Sequence, residues 1–343
     1  MADRRGNGGR GRLGPGTGAH PHSRRGLLRC PGLWALLACL LLLTRAPVSA
    51  FAEPPAPAAS TPPVVAASAV AIVDDDTGAL LYGLNAHERR AQASLTKMTT
   101  ALVALEHAPV SFQVQATQNS MTIPAVIGMD PGDVLSLHDA LYGLLLNSGN
   151  DVALAIAESV GRGSISRFVG WMNAWAASHG LRDTHYVNPH GLDADGQYSS
   201  AYDVALVGRA LLRNELLASV VATKRYEVPG PPLWVFHNIN PLLGQYPGVD
   251  GLKTGYETNA GHCLAVSATR AGHRIIVVIL NDDNRVQDAR ALLDWSFGRF
   301  RWWTVRVPAS DGYRTVAAEV VLPRSDGRYL ATMVRLEWAT QIG

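Results

Sequence analysis

The 343-residue sequence predicts an α+β fold, a sheet assembled from strands near both ends of one domain with helices between them. Three observations carry this expectation. Apolar runs "AVAIV" and "ALLYG" flank a "DDDTG" turn at 74–78, so the domain opens on strand, turn, strand. Far along the chain, "HCLAVSATRAGHRIIVVIL" (262–280) reads as two apolar strands around "TRAGH". The stretch between them carries apolar residues at helical spacing.

Taken in order, the first 50 residues are a leader. Eight arginines against Asp3 leave this segment at +7, so residues 51–343 carry −5 although the whole chain is formally +2. The basic excess belongs to the leader, and nucleic acid is not an expected partner. "LWALLACLLLLT" (33–44) is followed by small residues in "APVSAFA", which reads as a secretory signal cleaved after Ala50 or Ala52. Twelve apolar residues are too few for a bilayer span, which takes roughly 20. "SRRGLLR" (23–29) is either a twin-arginine export signal or a chance arginine pair. Cys30 and Cys39 leave with the signal, so the mature chain keeps only Cys263, a small core residue by its apolar setting. Residues 51–68, rich in proline and alanine, read as a linker, and the domain proper as 69–300.

Within that domain, Leu95, Met98, Leu102 and Leu105 make a helical stripe ended by Pro109. Ser136, with Asp139 as capping partner, opens a second helix bearing Leu137, Leu141, Leu144 and Leu145. It stops at "NSGN" (147–150), where another begins at once, so these four residues form a tight turn. Helical patterns follow at 164–179 and 200–213, and "VQDARALLDWSF" is a closing helix. Residues 301–343 are a short strand-rich extension, and no basic amphipathic helix ends the chain.

Three short motifs bear on chemistry. In "ASLTKMTT" (93–100), Ser94 and Lys97 lie three apart at a helix start, on one face and off the core stripe. Helix capping alone would explain the serine. "SGN" places Ser148 and Asn150 in a turn, where an ordinary polar turn is the plain alternative. "KTGY" (253–256) follows the glycine-rich "YPGVDGL" and precedes an apolar strand, where a lysine guarding a strand edge is the plain alternative. Each alone is weak. Together, SxxK, SxN and KTG in this order are the set of penicillin-binding proteins and class A β-lactamases.

From about Ala69 to Phe300 the chain resembles the low-molecular-mass penicillin-binding proteins, specifically D-alanyl-D-alanine carboxypeptidases. The likeness extends to "LLYGLNAHERRAQASLTKMTTAL", "DALYGLLLNSGNDVALAIAE", "VNPHGLD", "YPGVDGLKTGYE" and "ALLDWSFGRF". The resemblance implies a β-lactamase/DD-peptidase-like antiparallel sheet flanked by helices, with a helical subdomain. It implies removal of the terminal D-alanine from peptidoglycan stem peptides through an acyl-enzyme, inhibition by β-lactams, and no metal or cofactor. An exported protein in the periplasm, or otherwise outside the cytoplasmic membrane and at most loosely attached to it, follows from leader and substrate together.

Residue by residue, the resemblance makes Ser94 the nucleophile and Lys97 its base. A lysine near pKa 10.4 must drop about three units, a cost of about 4 kcal/mol, to be neutral at pH 7. Burial and the second lysine, Lys253, both push that way. Ser148 would relay a proton to the leaving amine, and Asn150 would hold Lys97 and the substrate amide. Backbone N–H groups of Ser94 and Tyr256 would form the oxyanion hole, with Gly255 leaving the strand accessible. Lys253 and Thr254 would receive the terminal carboxylate, assisted by Arg274, for which an exposed hairpin position is the alternative. His185 and His190, five apart without HExxH or a cysteine partner, are structural or substrate-lining.

Competing activities use the same serine. A class A β-lactamase needs an acid to activate the deacylating water, and Asp183, Asp193, Asp195 and Asp203 lie in no ExxLN-like stretch. An endopeptidase cutting D-alanine cross-links is the closer alternative. A non-catalytic wall-binding protein would have no use for all three motifs.

Overall fold

The computed structural model describes residues 61–120, 122–124, 126–309, 312–323 and 329–331. The leader, its export signal and cleavage site lie outside the described residues. Five strands form the main sheet: β1 (Ala69–Asp74), β2 (Leu80–Leu84), β7 (Val249–Glu257), β8 (Gly261–Arg270) and β9 (His273–Leu280). Their order is β2-β1-β9-β8-β7, antiparallel throughout, so the first hairpin of the domain closes against the last. Asp74 builds the β1–β2 turn. Its carboxylate accepts from the Thr77 N–H and Oγ1, and Gly78 supplies the left-handed residue at φ 73°.

The central strands β1, β8 and β9 are largely apolar because both faces are covered. Ala71, Val73, Ala265, Ile276 and Val278 face the large helical layer, while Val70, Ile72, Leu264, Val266, Val277 and Ile279 face Ala289, Leu292 and Leu293. The latter three belong to the closing helix, Arg285–Arg299. Three segments at the two ends of the domain thus share one core, as the apolar pattern predicts.

In the helical layer, α1 (Thr96–His107) follows a 3₁₀ turn at Ala93–Leu95. Four more helices, α2 (Leu137–Leu145), α3 (Asn150–Val160), α4 (Ile165–Ser178) and α5 (Ala201–Arg213), precede the short α6 (Glu215–Ala222). Ser136 caps α2 as expected, accepting from the Asp139 N–H at 3.1 Å. Helix α1 departs from the one-sided stripe, since every residue from Thr96 to Ala104 is buried. Two of its threonines are bonded inside: Thr100 Oγ1 donates to the Pro189 carbonyl at 2.6 Å and Thr99 Oγ1 shares a 2.6 Å bond with Tyr186, whereas Thr96 Oγ1 is buried without a partner among the described residues. Two small hairpins, β3–β4 (Gln113–Gln115, Val134–Ser136) and β5–β6 (Arg225–Val228, Trp234–His237), complete this side.

The closing helix is α7, and after it β10 (Arg301–Ala309), β11 (Gly312–Pro323) and β12 (Tyr329–Ala331) make a separate antiparallel sheet. Trp302 joins this extension to the domain: its Nε1 donates to Asp74 Oδ2 at 2.7 Å and its ring stacks on His273. No helix among the described residues is long and apolar enough to cross a membrane.

Leu264 is wholly buried between the sheet and α7. Leu264→Ala should therefore cost about 2–5 kcal/mol, read as a lower urea midpoint. A loss below about 0.5 kcal/mol would show that this layer is not close-packed.

Candidate active site

Lys97 is the centre of the site. Fully buried on α1, its Nζ lies 2.7 Å from Ser94 Oγ, 2.8 Å from Asn150 Oδ1 and 2.6 Å from the His190 carbonyl. The i, i+3 spacing brings Ser94 onto the lysine, and the turn after α2 delivers Asn150 at the start of α3. Burial, and then the charge of Lys253, hold Lys97 well below the ordinary lysine range. The partners suit the neutral amine: two carbonyl oxygens take its two hydrogens, and its lone pair is left for the Ser94 hydroxyl.

The backbone around Ser94 is shaped by its neighbours. Ala93 sits at φ 49° and Ser148 at φ 64°, both left-handed positions that side chains other than glycine seldom take. A Cβ on Gly255 would lie 3.1 Å from the Ser94 nitrogen, so β7 runs directly beside Ser94. Gly191 approaches from the other side, at φ 91°, where a Cβ would lie 2.0 Å from the Ala93 carbonyl oxygen. Asn188 Oδ1 fixes that loop by accepting from the Gly191 N–H at 2.7 Å, which in turn sets the His190 carbonyl on Lys97.

Lys253 is buried on β7, in register with Ala265, and its Nζ donates to the Thr254 carbonyl at 2.8 Å. Burial lowers its pKa to about 7, so this expected second cation carries only part of its charge near neutrality. Thr254 is buried and Tyr256 is 59% exposed, its ring 4.5 Å from that of His262. Ser148 is half-buried at the turn, two residues from Asn150, and forms no hydrogen bond among the described residues. Ser94, Lys97, Asn150 and Lys253 are thus brought together with the Gly255 backbone, Thr254 and Tyr256 flank Gly255 on β7, and Ser148 lies two residues before Asn150.

Arg274 does not join them. It pairs with Thr269 at the opposite end of the β8–β9 hairpin, and its guanidinium bonds Asp250 at 3.0 Å and Asp75 at 3.4 Å. Lys253 is level with Val278, four residues further along β9. At about 3.3 Å per residue and two strands of separation, Arg274 stands well over 10 Å away. It is an ion-pair residue of the sheet's far end. The arginine at the cleft end is Arg285, the first residue of α7, which feels the Cys263 side chain one strand from Gly255. Its Nε is buried with no acceptor among the described residues, and burial lowers its pKa.

His185 and His190 have separate tasks. His185 Nδ1 bonds the Gly196 carbonyl, whereas His190 Nδ1 accepts from the Leu192 N–H, and burial with the nearby Lys97 pulls His190 down to about 3. No group of three metal-binding side chains occurs among the described residues. Cys263 is buried, with its thiol against the Ala260 carbonyl.

Gly191→Ala should displace the Ala93–Ser94 backbone. We expect at least a tenfold loss of turnover with a lowered melting temperature, whereas Gly170→Ala, in α4 where nothing lies within 4 Å, should change turnover by less than about twofold. Equal turnover in the two variants would show that the Gly191 contact does not shape the site.

Comparison with known proteins agrees with this geometry. The family model described as D-alanyl-D-alanine carboxypeptidase matches residues 56–284. The chain is 36% identical to the D-alanyl-D-alanine carboxypeptidase DacF of Bacillus subtilis over 280 residues, covering 78% of this chain and 71% of that one. It is 34% identical to DacD of Escherichia coli, covering 69% of this chain and 64% of the relative, so it spans about two thirds of the length of these relatives. Among solved structures it is similar to a D-alanyl-D-alanine carboxypeptidase from Mycobacterium tuberculosis (TM-score 0.66, 32% identity, 70% of this chain and 95% of that one). It is also similar to the Streptomyces K15 DD-transpeptidase (TM-score 0.65, 30% identity, 69% and 99%). The chain belongs to the D-alanyl-D-alanine carboxypeptidase family.

Proposed function

We propose that the chain removes the terminal D-alanine from peptidoglycan stem peptides by a serine acyl-enzyme route, outside the cytoplasm where its leader sends it. The contact that carries this reading is Lys97 Nζ on Ser94 Oγ at 2.7 Å in a fully buried setting. Neutral Lys97 takes the Ser94 proton as Oγ attacks the carbonyl of the penultimate D-alanine. The Ser94 and Tyr256 N–H groups receive the developing oxyanion, a kind of contact worth about 3–4 kcal/mol. Ser148 passes a proton to the departing D-alanine amine, and water then resolves the acyl-enzyme. Thr254, Lys253 and, in place of Arg274, Arg285 hold the terminal carboxylate.

The endopeptidase and β-lactamase readings use this same centre with less support. Asp183 is engaged by Arg89 at 3.2 Å, Asp203 accepts from the Asp183 N–H, and Asp193 accepts from the Asn259 N–H. Each of these three carboxylates is held in a structural contact, and none of the acids of this segment lies in an ExxLN-like stretch. Retention of a penicillin adduct on Ser94 for minutes is the corresponding expectation.

Release of D-alanine from a peptide ending in D-Ala-D-Ala, measured beside nitrocefin hydrolysis, tests the assignment. Ser94→Ala should abolish both release and penicillin labelling. Lys97→Arg, whose guanidinium stays protonated, should lower the acylation rate by about a hundredfold to ten-thousandfold. Wild-type kcat/KM should rise from acid pH as Lys97 loses its proton, and fall above about pH 7 as Lys253 loses its charge. Labelling that survives in Ser94→Ala, or rapid nitrocefin turnover without D-alanine release, would overturn the reading.

A further inference from the structure

The turn from β9 into α7 carries a group of acids that the reaction does not use. Asp282 is 2% exposed, its N–H donates to the His262 carbonyl at 2.9 Å, and its own carbonyl accepts from the Arg285 N–H. Because His262 pairs with Tyr256 across β7–β8, this anchors Asp282 and Arg285 beside the cleft end of the sheet. Asp282 Oδ1 accepts from the Asn284 N–H at 2.8 Å, but Oδ2 is buried without a donor among the described residues. The carboxyl group that it meets is that of Asp288, whose Oδ2 accepts from the Ala66 N–H at 2.9 Å. Two carboxyl groups in contact, that of Asp282 buried and that of Asp288 half-buried, are satisfied by one proton between them.

Arg285 lies between the two in sequence, three residues from each, and its buried Nε is likewise without an acceptor. A guanidinium beside the Asp282 carboxyl is drawn both to it and to an incoming carboxylate. Resting on the reading that Arg285 receives the substrate's terminal carboxylate, we propose that Asp282 is a positioning residue for that capture: with Asp288 it holds a proton beside Arg285, and the proton sets how strongly Arg285 draws the substrate.

The charges facing this group come from each element packed on it. Asp283, Arg285 and Asp288 belong to the turn and α7; His262 and Cys263 to β8; on β7, Tyr256 reaches it through His262, Glu257 ends the strand opposite Gly261 with its pKa raised by burial, and Lys253 lies further along; the segment before β1 contributes the Ala66 N–H. With the proton present, the pair carries one negative charge beside Arg285. Once the proton leaves it carries two, and the second charge both offsets Arg285 and repels the substrate carboxylate. Burial, reinforced by Asp288, raises Asp282 to about 6, which places the change between mildly acid and neutral pH. By linkage, a bound carboxylate must favour proton uptake by the pair to the same extent.

The readout is the ratio of kcat/KM for a peptide ending in free D-Ala-D-Ala to that for its C-terminal amide, within each enzyme from pH 5 to 8. In the wild type the ratio should fall by about threefold to tenfold through a midpoint near 6, one decade corresponding to one pK unit of coupling. Lys253 titrates higher, near 7, so the variants decide the cause. Asp282→Asn supplies a permanent N–H to Asp288 and should remove the component near 6, leaving a ratio above wild type at pH 8. Asp288→Asn supplies the hydrogen from the other side and carries the same expectation should Asp282→Asn not fold. Wild-type profiles in the folded variants would overturn the proposal and leave the carboxylate reading standing. A wild type that cleaves acid and amide equally at every pH would overturn both.

Discussion

The site depends on one buried amine. An ammonium taken fully out of water is costly unless it is paired, and Lys97 has no carboxylate among its hydrogen-bond partners. Two carbonyl oxygens and a hydroxyl form its surroundings, a set that a neutral amine satisfies with nothing left over. The low interior polarity that removes the charge also removes competing water, so the Ser94 proton has one nearby acceptor. Moving either carbonyl away would leave a donor unsatisfied in the core, at roughly 1–3 kcal/mol. That restraint is what couples α1, the start of α3 and the His190 loop into one unit.

Around that amine the main chain is held closer than ordinary side chains permit. β7 comes against the Ser94 nitrogen at Gly255, and the Asn188–Gly191 loop comes against Ala93 at Gly191, so the residue before Ser94 is clasped on two sides. The left-handed backbone at Ala93 persists because both neighbours over-determine it. The five-stranded sheet makes this possible by placing β7 at its edge, beside the helical layer, while its other strands form the rigid wall between two apolar cores.

Much of this was legible in the sequence where residue type and spacing carry the information. The i, i+3 pair of Ser94 and Lys97, the turn bearing Ser148 and Asn150, and the terminal hairpins each have a pattern that chemistry explains. The His190 carbonyl has none, because a backbone acceptor leaves no mark in residue type. Helix α1 misleads in the opposite sense: Thr96, Thr99 and Thr100 look like a polar face, yet all three are buried, and Thr99 and Thr100 are bonded to the neighbouring segments. Arg274 and Arg285 differ by register alone. Both flank the same apolar strand, and only the pairing of Arg274 with Thr269 shows which end of the sheet each one occupies. The small β3–β4 and β5–β6 hairpins lack a long alternating run, so nothing in their composition announces them.

The bond from Trp302 to Asp74 bears on what counts as the catalytic domain. Composition draws a boundary at Phe300, but Asp74 ends the first strand of the sheet, and its carboxylate is shared between its own turn and an indole beyond that boundary. The beginning and the end of the folded chain are thereby latched at one corner of the sheet, where the His273 ring also stacks. A protein cut at residue 300 would keep Ser94, Lys97, Asn150 and Lys253 and still lose this latch, freeing the β1–β2 and β8–β9 turns to fray together. Cooperative unfolding, and with it resistance to proteases, is therefore a property of the 69–300 segment joined to its extension, and the unit that evolves or is engineered as a whole is longer than the segment that composition delimits.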